Sequence, residues 1–262
     1  MLRSHSLPIL LLTFSFVILS FSPLIPTKDE KDTPLRGAWL LTQKDNTAAT
    51  DLQIEMVKIL SNGHFMFAFY NAKTQQFFSA GGGTYTYADG KYTETIAFHT
   101  IDPGLAGRSL TFDAKLEGDQ WHQTGDVNGG EINEVYQRID DGTGSDLIGT
   151  WAQESFINEK GKAKRFSKKN KKLKILSATR FQWVEYNAKS GTFVAAGGGE
   201  YELQNDGYVE TLQFFSPDSM VVGAEIVFNR DYTETQWNLQ EQASRGEENM
   251  LGVNEIWSRS DW

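Results

Sequence analysis

The chain has 262 residues, with 25 lysines and arginines against 34 aspartates and glutamates, and therefore a formal net charge of −9. This length suits one or two domains that each bury a core. The chain has no cysteine, which excludes a disulfide scaffold, a zinc finger, a cysteine nucleophile and a lipidated cysteine, and its acidic balance argues against nucleic acid as the main partner.

The N-terminal segment has the features of an export signal. Residues 6–27 carry no charge, an arginine precedes them, and two prolines follow the apolar stretch from Ile9 to Leu19. A basic start, a short apolar run and a breaker are typical of a secretory signal peptide, whereas a membrane-spanning helix needs roughly 20 apolar residues. We therefore predict a signal peptide over residues 1–27 and an exported protein, periplasmic or secreted. An uncleaved membrane anchor is the alternative.

The remainder of the chain is an internal duplication. The sequence KILS at Lys58–Ser61 recurs at Lys174–Ser177, and AGGG at Ala80–Gly83 recurs at Ala196–Gly199, both with an offset of 116 residues. From residue 58 to residue 95, 18 of 38 positions are identical in the second copy. Two copies do not make a solenoid, because each is long enough to bury its own core.

The ends of the copies match as well and set the domain boundaries. Gly37-Ala-Trp39 recurs as Gly149-Thr-Trp151, and Arg138 corresponds to Arg259. The offsets shift at these ends, which places insertions in two surface loops of the second copy. The predicted organisation is one barrel over residues 36–140, a polar linker over 141–147 and a second barrel over 148–260.

Each copy predicts a series of short antiparallel strands. Asn62-Gly63 is a strong hairpin signal between Val57–Leu60 and His64–Tyr70, and phenylalanines alternate along the second of these strands. Turn signals recur throughout, and only residues 46–55 allow a short helix. The predicted fold is all-β, with two tandem antiparallel β-barrels from an internal duplication.

A Gly-x-Trp on the first strand with an arginine on the last resembles the signature of lipocalin (calycin) barrels. The matching residues are Gly37, Trp39 and Arg138 in the first copy and Gly149, Trp151 and Arg259 in the second. The chain also resembles uncharacterised secreted lipocalin-like proteins of Gram-negative bacteria. The resemblance implies lipocalin-like barrels in which the arginine packs over the tryptophan and closes the base, as a guanidinium can on an indole.

The histidines and glycines do not suggest a catalytic or metal site. His64, His99 and His122 lie in the first copy without metal-motif spacing, and strand alternation predicts that they face solvent. The triple glycines at 81–83 and 197–199 lack the lysine and the helix of a phosphate loop, so a bulge or bend in a barrel strand is expected. We predict no catalytic residue, metal ligand or cofactor, and we do not expect an enzyme.

Nine lysines and arginines crowd into residues 160–174 of the otherwise acidic second copy. A solvated hairpin tip is the simple interpretation. The functional one is a patch for lipid headgroups, acidic glycans or the acidic surface of the first copy. The residues assigned to this candidate anionic-surface patch are Lys168, Lys169, Lys171 and Lys172.

Glu94 and Glu210 are the most informative positions, because strand alternation places each carboxylate on the apolar face of its strand, in the first copy together with Ile96 and Phe98. A buried carboxylate needs hydrogen bonds, a cation or a ligand, and Arg108 is the candidate cation. A satisfied internal network and a ligand contact both fit. The candidate ligand-binding residues are Glu94, Tyr85, Tyr92, Arg108, Glu210, Tyr201 and Tyr208.

The expected function is therefore that of an exported, non-catalytic protein that binds one small amphipathic or hydrophobic molecule inside a barrel. The alternative is a structural or interaction module, with filled barrels that contact an anionic surface through Lys160–Lys174. No nucleic-acid partner is expected.

Overall fold

The computed structural model describes residues 33–71, 73–204, 207–242 and 251–260. The predicted signal peptide, residues 1–27, lies outside the described residues. Among the residues that are described, no helix has both the length and the apolar character needed to cross a membrane.

The first copy forms one antiparallel sheet that closes on itself. Its nine strands are β1 (Gly37–Lys44), β2 (Thr47–Ala48), β3 (Glu55–Ser61), β4 (His64–Tyr70), β5 (Phe77–Ala88), β6 (Lys91–His99), β7 (Ser109–Glu117), β8 (Gln120–Val127) and β9 (Gly130–Asp140). Strand β1 pairs with both β3 and β9, which closes the barrel, while β2 extends only the end of β1. A 3-10 turn, Pro103–Leu105, joins β6 to β7. At residues 46–55, where the sequence allows a short helix, the chain forms β2 and turns instead.

The second copy repeats this arrangement with a looser closure. Its ten strands are β10 (Gly149–Ile157), β11 (Ala163–Arg165), β12 (Asn170–Leu176), β13 (Arg180–Asn187), β14 (Phe193–Leu203), β15 (Gly207–Phe215), β16 (Glu225–Asn229), β17 (Asp231–Tyr232), β18 (Gln236–Gln240) and β19 (Asn254–Arg259). Strand β10 pairs with β12 and β19. A bridge between Phe228 and Glu241 links β16 to the residue that follows β18, and a 3-10 turn, Ser219–Val221, joins β15 to β16. The predicted all-β fold, with two antiparallel barrel-like sheets in tandem, is confirmed.

The apolar core consists of three clusters. One fills the first barrel around Trp39, Phe65 and Trp121, and another fills the second barrel around Trp151 and Trp237. The third lies between the barrels and draws residues from both copies, because β3, β4, β12 and β13 bury side chains of both faces. A nearly continuous run of apolar residues is typical of a strand that is buried on both faces.

The contacts between the barrels are reciprocal. Tyr70 stacks on Phe214 with ring centroids 5.2 Å apart, and the corresponding residues of the other copy, Tyr186 and Phe98, stack at 5.1 Å. Phe77 stacks on Phe193, its own counterpart, at 5.7 Å. Each copy thus offers the same patch to the other, as in an isologous interface with two-fold symmetry.

The triple glycines lie at matching β-bulges, as the sequence predicts. Between Gly82 and Gly83 the pairing of β5 with β6 skips Ala97, and a side chain at Gly83 would overlap the carbonyl oxygen of Thr95. The bulge reverses the alternation of β6 beyond Ile96. Phe98 therefore turns outward into the cluster between the barrels, and His99 turns inward, with its ring 5.9 Å from that of Phe67.

The bulge makes two sequence expectations wrong. Phe98 does not share the inward face of Glu94, and His99 does not face solvent. His64 is also buried, because its face of β4 packs towards the second barrel. Simple alternation cannot account for an extra residue in one strand.

Candidate functional site

A buried lysine–glutamate pair lies inside each barrel. Lys58 on β3 donates from Nζ to Oε1 of Glu94 on β6 over 2.9 Å, with 3% and 6% of the two side chains exposed. Lys174 on β12 donates in the same way to Glu210 on β15. The inward position predicted for both glutamates is thus observed, and the cation that balances each is a lysine from across the barrel.

Aromatic rings surround each buried ammonium group. The Nζ atom of Lys58 lies 5.1 Å from the ring centroids of both Trp121 and Tyr136, and Nζ of Lys174 lies 4.9 Å from Phe181 and 5.0 Å from Trp237. Burial lowers the pKa of Lys174, and Glu210 opposes this shift. The aromatic faces and the carboxylate together replace the water that the ammonium group has lost.

Arg108 is not the partner of Glu94. Its side chain is exposed and donates to Oδ1 of Asn128 at 2.9 Å. The reason is local: Arg108 precedes β7 in the loop that follows the bulged end of β6, so the alternation of β7 does not extend to it.

The four predicted tyrosines are buried but have different partners. Tyr208 donates to Glu210 over 2.7 Å, and its pKa is raised by burial and by that carboxylate. The ring centroid of Tyr92 lies 5.3 Å from Nζ of Lys58. The pKa of Tyr92 is raised by burial and by Glu94. Tyr85 hydrogen-bonds to Thr33, and Tyr201 donates to the carbonyl of Ser177. The hydroxyl group of Tyr92 has no hydrogen-bond partner among the described residues.

The tryptophan–arginine pairs lie at the base of each barrel. The guanidinium carbon of Arg138 is 4.1 Å from the ring centroid of Trp39, and that of Arg259 is 4.0 Å from Trp151. Arg138 also donates to the carbonyl oxygens of Pro34 and Arg36. The guanidinium thereby ties the segment before β1 to the last strand.

A cavity of about 450 Å³ opens in the second barrel, at the end remote from Arg259. The buried pair of Lys174 and Glu210 lies at its inner end, and its walls carry Trp183, Phe215 and Trp257. The rings of Trp183 and Phe215 meet edge to face, with centroids 5.8 Å apart. The lining is thus mostly apolar, with six aromatic side chains and seven polar or charged ones, a mixture found in small-molecule sites.

A second ion pair lies on the wall of this cavity. Nζ of Lys172 donates to Oε1 of Glu255 over 2.5 Å and lies 4.8 Å from the ring centroid of Trp183. The indole nitrogen of Trp257 donates to the other oxygen of Glu255 at 3.1 Å. Glu185, also on the wall, accepts from Asn170 at 2.7 Å. Each charged group of the wall therefore has a partner within the barrel.

Three of the corresponding positions in the first barrel carry apolar side chains, whereas Glu255 has its counterpart in the buried Glu134. Met56, Phe69 and Leu41 occupy the places of Lys172, Glu185 and Gln153, as the repeat and the strand registers show. All three pack in or against the core of the first barrel. The two copies have therefore diverged at this end, where the first is packed and the second is open and polar.

Gln153 has a spare hydrogen-bonding atom beside this cavity. Its side chain is 8% exposed, its Nε2 donates to the carbonyl of Ser155 at 3.3 Å, and its Oε1 has no partner among the described residues. A buried carbonyl oxygen without a donor is costly. Gln153 therefore keeps an unsatisfied acceptor behind the wall of the cavity, and a bound donor reaches it only if the side chain rotates.

The predicted anionic-surface patch is exposed except for Lys172. That side chain turns inward to Glu255, with 17% of it exposed, so its assignment to the patch is wrong. Its inward position follows from the alternation of β12, on which Lys172 and Lys174 share a face. The exposed cations of this region are Lys160, Lys162, Lys164, Arg165, Lys168, Lys169 and Lys171.

The sequence reasoning missed the two buried lysines and the wall of the cavity. Lys58 and Lys174 had a signal, because Lys58 alternates with Met56 and Leu60 on an inward face and the KILS motif repeats in both copies. The repeat also shows that Lys172 stands where the first copy has Met56. The positive charges around Lys172 made it look like part of a basic surface patch.

Comparison with known proteins finds a family match that covers the first copy. Residues 34–143 match the family described as a domain of unknown function (DUF4488), which spans the first barrel. No curated protein matches the chain. Within the described residues, no cluster of three or more histidine, aspartate and glutamate side chains is placed to hold a metal ion.

Proposed function

We propose that the chain is an exported, non-catalytic, lipocalin-like protein that binds one small amphipathic molecule in the cavity of its second barrel. The observation that carries this proposal is the divergence of the two copies at one end, where the first is filled and the second holds a cavity of about 450 Å³. Small-molecule sites usually measure roughly 300–1,000 Å³.

Two features support the lipocalin-like and exported character. In each copy the arginine of the last strand stacks on the tryptophan of the first, as the resemblance implies. The uncharged N-terminal segment, residues 6–27, supports export. The first barrel, with its packed interior, then serves as the support for the second.

The polar groups of the cavity favour a molecule whose polar end donates a hydrogen bond. The ammonium groups of Lys172 and Lys174 are already bonded to Glu255 and Glu210, while Oε1 of Gln153 has no donor. A ligand carboxylate would add negative charge beside these glutamates without a free cation. A hydroxyl or an amide N–H would instead satisfy Gln153, and the apolar body would contact Trp183 and Phe215.

The test is displacement of an environment-sensitive apolar dye by a long-chain alcohol and by the carboxylate of equal chain length. The alcohol should compete at least tenfold better. A variant with Gln153→Leu and Glu185→Phe gives the second barrel the two apolar side chains that the first barrel has at these positions. This filled variant should bind the dye at least tenfold more weakly.

The matched control makes the same exchanges on the outer surface of the first barrel, at Gln120→Leu and Glu131→Phe, where both side chains are exposed. It should bind as the wild type does. Equal loss in both variants, or unchanged binding in the filled variant, would contradict a site in this cavity. Preference for the carboxylate would contradict the proposed ligand chemistry.

A further inference from the structure

A basic hairpin borders the mouth of the second-barrel cavity. We use this name for residues 157–171, which comprise the turn from β10 to β11, the short β11 and the loop that leads to β12. The segment contains seven exposed cations and a single acidic residue, Glu159. Lys160, Lys162 and Lys164 line a surface groove that shares Phe156 and Ile157 with the lining of the cavity.

The basic hairpin has a defined backbone, yet its cations have no ion-pair partner within the described part of the chain. Oδ1 of Asn158 accepts from the backbone nitrogens of Lys160 and Lys162, at 3.1 and 3.0 Å, and Oγ of Ser167 accepts from those of Lys169 and Asn170. None of the seven cations forms an ion pair with another described residue. These charges therefore do little for the fold and are free to act on a partner.

The first copy has no equivalent of these charges. The segment between β1 and β3, residues 45–54, contains two aspartates and no lysine or arginine, although it closes the same position of its barrel. The basic hairpin thus belongs to the copy that has the cavity, and to the end at which the cavity opens.

Apolar side chains lie among the cations at the same rim. Phe156 is 39% exposed, and Ile157 and Phe166 are half-buried beside it. Cations around exposed apolar side chains are typical of surfaces that settle into the headgroup region of a bilayer. An acidic glycan or an acidic protein would account for the lysines alone, whereas a bilayer also accounts for the exposed part of Phe156.

We propose that the basic hairpin docks the mouth of the second barrel onto an anionic lipid bilayer. Lipid phosphates then face the seven cations, Phe156 enters the headgroup layer, and an amphipathic molecule passes between bilayer and cavity without crossing bulk water. The use of the cavity rests on the function proposed above, whereas the docking itself does not.

The experiment measures sedimentation of the full chain with vesicles of phosphatidylglycerol and phosphatidylcholine at low ionic strength. The variant carries Lys160→Gln, Lys162→Gln, Lys164→Gln and Lys168→Gln, and its affinity for the vesicles should fall at least tenfold. The control carries Lys73→Gln, Lys91→Gln, Arg108→Gln and Lys115→Gln, four exposed cations of the first barrel, and should bind as the wild type does. Added salt should weaken binding of the wild type.

Three results would overturn the docking proposal: no binding at low ionic strength, equal binding to pure phosphatidylcholine vesicles, or equal loss in the control variant. Binding to heparin with none to the vesicles would assign the hairpin to an acidic glycan instead, and so would also overturn it. Dye binding measured without vesicles reports on the cavity alone, so failure of the cavity and failure of docking are separate outcomes.

Discussion

Lys58 and Glu94 illustrate how a buried charge is tolerated in a barrel that is otherwise aromatic. The two groups bond at 2.9 Å and aromatic rings cover the ammonium group, so neither charge meets water or remains alone. Loss of one partner leaves the other buried and unpaired, which is more costly than loss of the pair as a whole.

We expect Lys58→Met to lower the free energy of unfolding by about 3–5 kcal/mol, because Glu94 then stays buried without a cation. The double variant Lys58→Met with Glu94→Leu should recover most of this loss, since both charges are gone. Chemical denaturation of the two variants measures the difference. Lys91→Met, which breaks an exposed pair with Asp113, serves as the control and should change stability by less than about 1 kcal/mol. A double variant no more stable than Lys58→Met would argue against this account.

The expected effect of Glu94→Gln also changes once the partner of Glu94 is known. With the carboxylate viewed as a ligand contact, the change would affect binding more than stability. With Lys58 beside it, the change leaves a buried ammonium group with a neutral partner. Residue roles inside the barrels thus depend on partners that lie on other strands.

At the scale of strands, the bulges of β6 and β15 shape both faces of each barrel. The pairing of β14 with β15 skips Gln213 next to Gly198 and Gly199, as that of β5 with β6 skips Ala97. Beyond the bulge the outer phenylalanine joins the cluster between the barrels, and the next residue turns inward. The bulge thus has a structural role, because it redirects these side chains.

We expect Gly83→Ala and Gly199→Ala to destabilise the protein by more than about 1 kcal/mol each, because the new methyl group overlaps the carbonyl oxygen of Thr95 or Thr211. Gly130→Ala is the matched control, since its new atom meets only ordinary contact distances. Thermal unfolding compares the three variants. If Gly83→Ala unfolds at the temperature of Gly130→Ala, the close approach at the bulge is not a constraint.

The whole molecule is a pair of barrels joined through a shared core. Asp140 at the end of β9 accepts hydrogen bonds from Ser177, Ala178 and Thr179, and Gln182 donates to the carbonyl of Val57 at 2.9 Å. Together with the reciprocal aromatic stacks, these contacts join the copies over a large apolar surface. Separate unfolding of the barrels would expose that surface on both.

We therefore expect one cooperative unfolding transition for the intact chain. Trp39→Ala and Trp151→Ala should each lower its stability by about 3–5 kcal/mol, the usual cost of removing a core tryptophan. Each should shift the same single transition, because the shared cluster couples the barrels. Calorimetry tests this directly. Two resolved transitions, of which each variant moves only one, would show that the barrels fold independently.

Alkaline pH should unfold the protein through its buried tyrosines. Burial raises the pKa of Tyr186 to about 12 and raises those of Tyr70, Tyr92, Tyr136 and Tyr208 as well. Above about pH 10 the unfolded chain loses these protons first, so stability falls by about 1.4 kcal/mol per pH unit for each such tyrosine. Lys174, with its lowered pKa, acts in the opposite direction below that range.

Tyrosinate absorbance followed together with circular dichroism measures this effect. Ionisation and loss of the sheet signal should occur in one step, and Tyr186→Phe should make the fall in stability less steep. Ionisation of most tyrosines before any loss of the sheet signal would contradict the assigned burial.

The sequence by itself determined the features that depend on local pattern and on the repeat. Duplicated motifs and alternating strands predicted two tandem β-barrels, and the same alternation placed Glu94 and Glu210 inside. The tertiary structure alone decided that Lys58 and Lys174 balance these carboxylates and that Phe98 turns outward. It also decided that, among the described residues, the second copy has a polar cavity at the end where Met56 fills the first. The physical reason is that alternation is a property of one strand, whereas ion pairs, bulges and cavities depend on which strands meet across a barrel and on how much volume their side chains fill.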